Sequence, residues 1–264
     1  LITQIYEIQT PGEAAVMVER GVDHVGSVVC SIENWQEPLV RDTLREAERK
    51  GAKSSLILLF SEEKAVCSAL SYYRPDIVHF CDDLYSRQGG EIEGERLEKL
   101  FELQRKLRSL FPGMRIMRSV QVPSEGALES LPVLDWMRAF EPVSDYFLID
   151  TWMGGDASQP VWGFVGITGV PCNWRIAAEV VVESRIPVIL AGGLSPENVY
   201  EAVRAVRPAG VDSCTRTNAV DSTGRPIRFR KDADRVARFV NEAHRAEKDM
   251  DHKRHRYLGE DHHV

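Results

Sequence analysis

The chain has 264 residues, 43% of them hydrophobic and 28% charged, which suits one large α/β domain and excludes disorder along its whole length. A formal net charge of −7 gives no global attraction to nucleic acid or to an anionic membrane, so neither is expected as a partner.

Short β-rich runs alternate with amphipathic segments from the first residues to about 245. The first strand reads as Ile2 to Ile8. Thr10-Pro11-Gly12-Glu13 then offers an N-cap, a proline at N1 and a capping-box glutamate before a helix from Ala14 to Arg20 that Gly21 closes. Further strands are predicted at His24–Val29, Ser54–Phe60, Asp76–Phe80, Arg115–Val120, Asp145–Ile149, Val188–Leu190 and Gly210–Ser213. The helices between them fall at about Pro38–Lys50, Glu62–Tyr72, Glu95–Leu110, up to Phe140, Pro196–Val206 and Asp232–His244. Repeated βα units of this number predict a single closed (β/α)8 TIM barrel over 1–247, because right-handed crossovers put every helix outside and leave no sheet edge. The charged, histidine-rich stretch 248–264, with His252, His255, His262 and His263, reads as a solvated tail.

In such a barrel the chemistry gathers at the carboxyl ends of the strands. The clearest signal is Leu190-Ala191-Gly192-Gly193-Leu194-Ser195-Pro196, where paired glycines let backbone amides approach an anion without Cβ obstruction. The next strand runs into Ser213-Cys214-Thr215-Arg216, adding hydroxyls and a guanidinium able to grip phosphate. Asp150 ends an apolar run, where partial desolvation would raise its pKa and suit it to general-acid work. The long loop from Trp152 to Asn173 carries Gly154, Gly155, Trp162, Phe164, Gly166 and Gly169, as a lid or binding element would, and its tryptophans could stack on a flat ring. The cysteines, Cys30, Cys67, Cys81, Cys172 and Cys214, lack CxxC spacing; they signal neither a disulfide framework nor a zinc site and suit a reducing cytoplasm. No leader-like start is evident, so a cytoplasmic protein is expected.

The runs at Asp145–Thr151, Leu190–Val199 and Gly210–Ser213 resemble the sixth, seventh and eighth strand ends of the phosphoribosylanthranilate isomerase family, with weaker likeness over Ala14–Val29 and Asp76–Phe80. The resemblance implies a cofactor-free Amadori rearrangement of a phosphorylated sugar, with Asp150 as general acid and phosphate held by Gly192, Gly193 and the turn Ser213, Cys214, Thr215, Arg216. Around the fourth strand the family's glutamine and histidine are altered, to His79-Phe80-Cys81-Asp82, and its fifth-strand arginine is Gln121 with Arg118 nearby. His79, Cys81 and Arg118, with Trp152 of the long loop, are the further candidate substrate contacts, and a homo-oligomer is possible. The family's first strand ends in lysine-isoleucine-cysteine-glycine, whose cysteine is the base; here the run is Gln4-Ile5-Tyr6-Glu7, so Tyr6 takes the cysteine's position. Glu7 or Tyr6 is then the candidate base. Glu7 qualifies only if the strand ends or bulges before it, because neighbouring strand residues face opposite ways. A competing reading of the same substitution is a barrel that binds a phosphorylated metabolite as a sensor or assembly component without turning it over.

Overall fold

The computed structural model describes residues 1–84, 94–126, 131–153 and 163–259, with side chains to 252. Eight parallel strands close into a barrel in chain order: β1 (Ile2–Ile5), β2 (His24–Val29), β3 (Lys53–Leu58), β4 (Ile77–Phe80), β5 (Arg115–Pro123), β6 (Tyr146–Trp152), β7 (Val188–Leu190) and β8 (Gly210–Ser213). Closure is made by β1, which pairs with β2 through Ile5 and Val25 and with β8 through Ile5 and Ser213. The helices α1 (Pro11–Glu19), α2 (Pro38–Arg49), α3 (Glu63–Tyr73), α4 (Gly94–Leu110), α5 (Val133–Phe140), α6 (Trp174–Glu183), α7 (Val199–Val206) and α8 (Ala233–Gly259) alternate with the strands. Between β8 and α8 lies an antiparallel hairpin of β9 (Asn218–Val220) and β10 (Pro226–Lys231).

Strand alternation sorts the side chains into two layers. One set of positions, among them Val25, Phe147 and Ile149, is buried with helix residues such as Val203 and Phe239. The opposite set, Tyr6, Ile77, Met117, Leu148, Ile189 and Ala191, fills the barrel interior. Tyr6 lies across β2 so closely that a Cβ on Gly26 would stand 2.1 Å from its ring; only glycine admits the tyrosine there.

Strand and helix ends shift by a few residues at several places, β6 running on to Trp152 and α7 starting at Val199, and three larger differences from the sequence reading stand out. β1 stops at Ile5 rather than Ile8, because Glu7 takes a left-handed backbone with φ 64°. The hairpin is short and mostly exposed, its brief alternation of Ile227 and Phe229 with arginines burying little apolar surface, and the sequence reading did not include it. The tail does not begin at 248: α8 runs on through Gly259, with Met250 packed against the core and the Asp249 carboxylate accepting from the Tyr200 hydroxyl at 2.7 Å. The side chains of His255, His262 and His263 lie outside the described residues.

Candidate active site at the barrel mouth

The end of the β6–α6 loop folds back over the carboxyl ends of the strands. Val165 donates its amide to the Cys81 carbonyl at 2.8 Å, and Phe164 bridges to Asp82. The Thr151 hydroxyl donates to the Val170 carbonyl at 2.6 Å. Gly154, Gly155 and Trp162 lie outside the described residues. Beneath the loop lies an open cavity, about 560 Å³ when the space it shares with solvent is included, lined by Glu7, Cys81, Asp150, Ile167, Asp212 and Cys214. A smaller hollow of about 300 Å³ adjoins it, formed by Gly192, Gly193, Thr215 and Arg216 and sharing Asp150 and Asp212 with the first.

The two glycine-bearing and hydroxyl-bearing loops therefore do meet. Gly192 and Gly193 have φ of 80° and 59°, and among the described residues neither amide donates to a carbonyl or side chain. A Cβ on Gly192 would stand 2.2 Å from Thr151 Oγ1 and one on Gly193 would stand 2.5 Å from the Val170 carbonyl carbon, so both positions exclude side chains. Thr215 Oγ1 is buried there without a partner. Arg216 is exposed and donates from Nε to the Gly169 carbonyl at 2.9 Å. The result is a concavity of free amides, one hydroxyl and one guanidinium, suited to an oxyanion.

Asp150 is half-buried, and desolvation pushes its carboxyl up to about 6 against the opposing effect of the Thr151 amide, which donates to Oδ1 at 2.7 Å. Asp212 is buried at the junction of the two hollows. Burial first, and then the Asp150 charge, push it up to about 8, although Gln4 Nε2 donates to it at 3.2 Å. At neutral pH Asp212 holds its proton while Asp150 titrates close by. Glu7 is 1% exposed; Oε1 accepts from Arg228 Nε of β10 at 2.5 Å, and Oε2 is buried without a partner.

A family model described as N-(5'phosphoribosyl)anthranilate (PRA) isomerase matches residues 102–242, just over half of the chain. The chain belongs to the phosphoribosylanthranilate isomerase family. It is similar to N-(5'-phosphoribosyl)anthranilate isomerase 2 of Methanosarcina mazei, 39% identical over a stretch covering 54% of each chain, so it matches about half the length of that relative. The isomerase of Nitrobacter winogradskyi is 26% identical over 94% of each. A solved phosphoribosyl anthranilate isomerase, in complex with reduced 1-(o-carboxyphenylamino)-1-deoxyribulose 5-phosphate, superposes with a TM-score of 0.61 at 20% identity, over 92% of this chain and 98% of that one.

Within this isomerase family barrel, several expected residues stand where the sequence reading put them and others do not. Asp150 and Glu7 both face the cavity. The condition on Glu7 is met, since β1 has ended and the left-handed φ turns its side chain into the mouth.

Tyr6 is buried in the barrel interior, its hydroxyl 2.6 Å from Ser55 Oγ and 2.9 Å from His79 Nδ1. Burial drives its pKa well above the ordinary tyrosine value, which removes it as a base. His79 reaches the cavity floor, but both ring nitrogens are engaged, Nε2 with Ser119 Oγ at 2.9 Å, and burial lowers its pKa to about 3. Cys81 and Cys214 line the cavity as thiols whose pKa burial raises; they shape the wall.

Three expectations are corrected. Arg118 is 0% exposed and points out of the barrel, away from the mouth. Its guanidinium donates to Asp82 at 2.8 Å and to Gln104 at 2.7 Å and stacks 4.6 Å from the Phe140 ring. Trp152 is 1% exposed and belongs to the layer between sheet and helices. The Ser213 hydroxyl donates to the Leu194 carbonyl at 2.7 Å, so it ties the two loops together and has no free hydrogen for a ligand. Two residues were missed. Asp212 carried the same signal as Asp150, a carboxylate on an apolar strand, whereas Arg228 carried none.

Proposed function

We propose that this chain isomerises N-(5'-phosphoribosyl)anthranilate by acid–base catalysis, with Asp150 as the acid and Glu7 as the base. The observation that carries the reading is the placement of these two carboxyl groups on one cavity that opens into a hollow of free amides. The substrate phosphate sits on the Gly192 and Gly193 amides, the Thr215 hydroxyl and Arg216. Asp150 gives its proton to the ribose ring oxygen as the C1–O bond breaks, leaving a protonated Schiff base at C1. Glu7 then takes the C2 proton, and the electron pair of that bond forms the C1–C2 double bond while the nitrogen becomes neutral. The enol proton returns to Asp150 as C1 takes the proton from Glu7, which gives the ketone and restores both groups. No atom is gained or lost.

Environment separates the two roles. Asp150, pushed up to about 6, keeps a usable proton near neutrality. Glu7 lies beside a guanidinium, lines the cavity and keeps one buried oxygen without a hydrogen-bond partner, as an acceptor should. The binding-only reading rested on the missing cysteine, and Glu7 supplies a base without it. Asp150→Asn is expected to lower turnover by about a hundred- to ten-thousandfold and to leave inorganic phosphate binding intact. Full activity in that variant overturns the assignment.

A further inference from the structure

A substrate with a phosphate at one end and an aromatic carboxylate at the other carries two fixed negative charges. Arg216 faces the first. On the larger cavity, at the end of β1 and between β2 and β8, stands Glu7, a carboxylate that would repel the substrate's own unless a cation lay beside it. Arg228 is that cation. It arrives from β10, 221 residues along the chain, and donates to Glu7 through Nε alone; among the described residues no acceptor takes its Nη groups. The side chain is 39% exposed and its guanidinium stacks 4.7 Å from the Phe229 ring, so part of it stays open to a ligand beside Glu7 while the ring steadies its plane.

The hairpin that carries Arg228 is pinned at its end. Lys231 Nζ donates to the Cys214 carbonyl at 2.9 Å, and the Lys231 amide donates to Glu13 Oε1 at 2.7 Å. Glu7 and Phe229 both have left-handed backbones, with φ of 64° and 61°. Non-glycine residues hold that conformation only where their surroundings impose it, and such strain gathers at functional sites. Arg216 repeats the plan at the phosphate end, anchored through Nε on Gly169 and presenting its remaining nitrogens to the hollow. An arginine held by one nitrogen still offers two parallel donors, the geometry that fits a carboxylate.

We propose that Arg228 determines specificity for the aryl carboxylate of the substrate, gripping it through the Nη edge while Nε keeps Glu7 aimed. This rests on the reading of the reaction given above. The test is a binding cycle with two probes, reduced 1-(o-carboxyphenylamino)-1-deoxyribulose 5-phosphate and the same compound without the o-carboxyl group, measured on the wild-type protein, Arg228→Met and Arg228→Lys. The wild type should prefer the carboxylated probe on the order of ten- to a hundredfold. Arg228→Met should bind both equally, Arg228→Lys should keep part of the preference, and inorganic phosphate should bind all three proteins alike, which shows the mouth intact. An undiminished preference in Arg228→Met, or no preference in the wild type, overturns the proposal and leaves the reaction standing. Failure of both probes to bind the wild type defeats the reaction and the proposal together.

Discussion

Gly166 lies directly over the Asp150 carboxylate: a Cβ at residue 166 would stand 2.6 Å from Oδ2. The loop backbone thus forms a roof that desolvates this carboxylate, the proposed acid. With φ at 118°, residue 166 also holds a conformation that L side chains avoid. Gly166→Ala should displace the carboxyl or lift the loop. The expected outcome is a fall in kcat/KM of about tenfold or more, larger than any accompanying loss of stability. Unchanged kinetics would mean that the roof does not set the acid.

With Glu7 as the proposed base, Tyr6 is left the role of a structural link in the cavity floor. Tyr6→Phe strips the hydroxyl from between Ser55 and His79 and leaves those buried partners unsatisfied, a destabilisation of about 1–3 kcal/mol. Thermal unfolding should register it, while kcat stays within about threefold. A collapse of kcat in the folded protein would return Tyr6 to the chemistry.

Asp212 should leave its mark on stability against pH. Its folded pKa, about 8, lies above the ordinary carboxylate value, so the stability it contributes is complete below about pH 4 and is lost as pH rises through about 8. Asp150, raised to about 6, behaves alike but is spent sooner. His24 and His79, lowered to about 4 and about 3, act oppositely, adding stability up to the ordinary imidazole value of about 6.5 and nothing beyond. The decline around pH 7 is therefore chiefly Asp212's, and the cysteine thiols, which burial raises, add to it only towards pH 8 and above. Asp212→Asn should flatten it and raise Tm at pH 8, as calorimetry across that window would show; a slope identical to wild type would contradict the assignment.

The Arg118–Asp82 pair is a buried ion pair behind the sheet. Arg118→Met leaves the Asp82 charge unpaired and should cost about 3–5 kcal/mol, measurable by denaturant unfolding. Substrate KM should not move in the protein that remains folded, and a raised KM would put Arg118 back in the binding site.

The alternation of apolar strands and capped helices made the barrel legible, since period and order alone decide which faces are buried. Asp150 was legible for the same reason: a carboxylate ending an apolar strand must face the mouth. Arg118 misled because proximity in sequence outweighed parity; it follows the inward-facing Met117 and so faces the helices. Glu7 was legible only as a condition, for a left-handed glutamate announces itself by no residue type, as a glycine would. Arg228 was beyond reach, because its partner is set by how a polar hairpin folds across the barrel end, and no periodicity encodes that.

The most direct test is the pH dependence of kcat/KM for N-(5'-phosphoribosyl)anthranilate, in the wild type and in Glu7→Gln. The acid must carry its proton, so wild-type activity should be present below and fall away above about pH 6, the value to which Asp150 is raised. Glu7→Gln should run about a hundredfold or more lower throughout. A wild-type protein that does not convert this substrate, or a Glu7→Gln variant that matches it, would contradict the account.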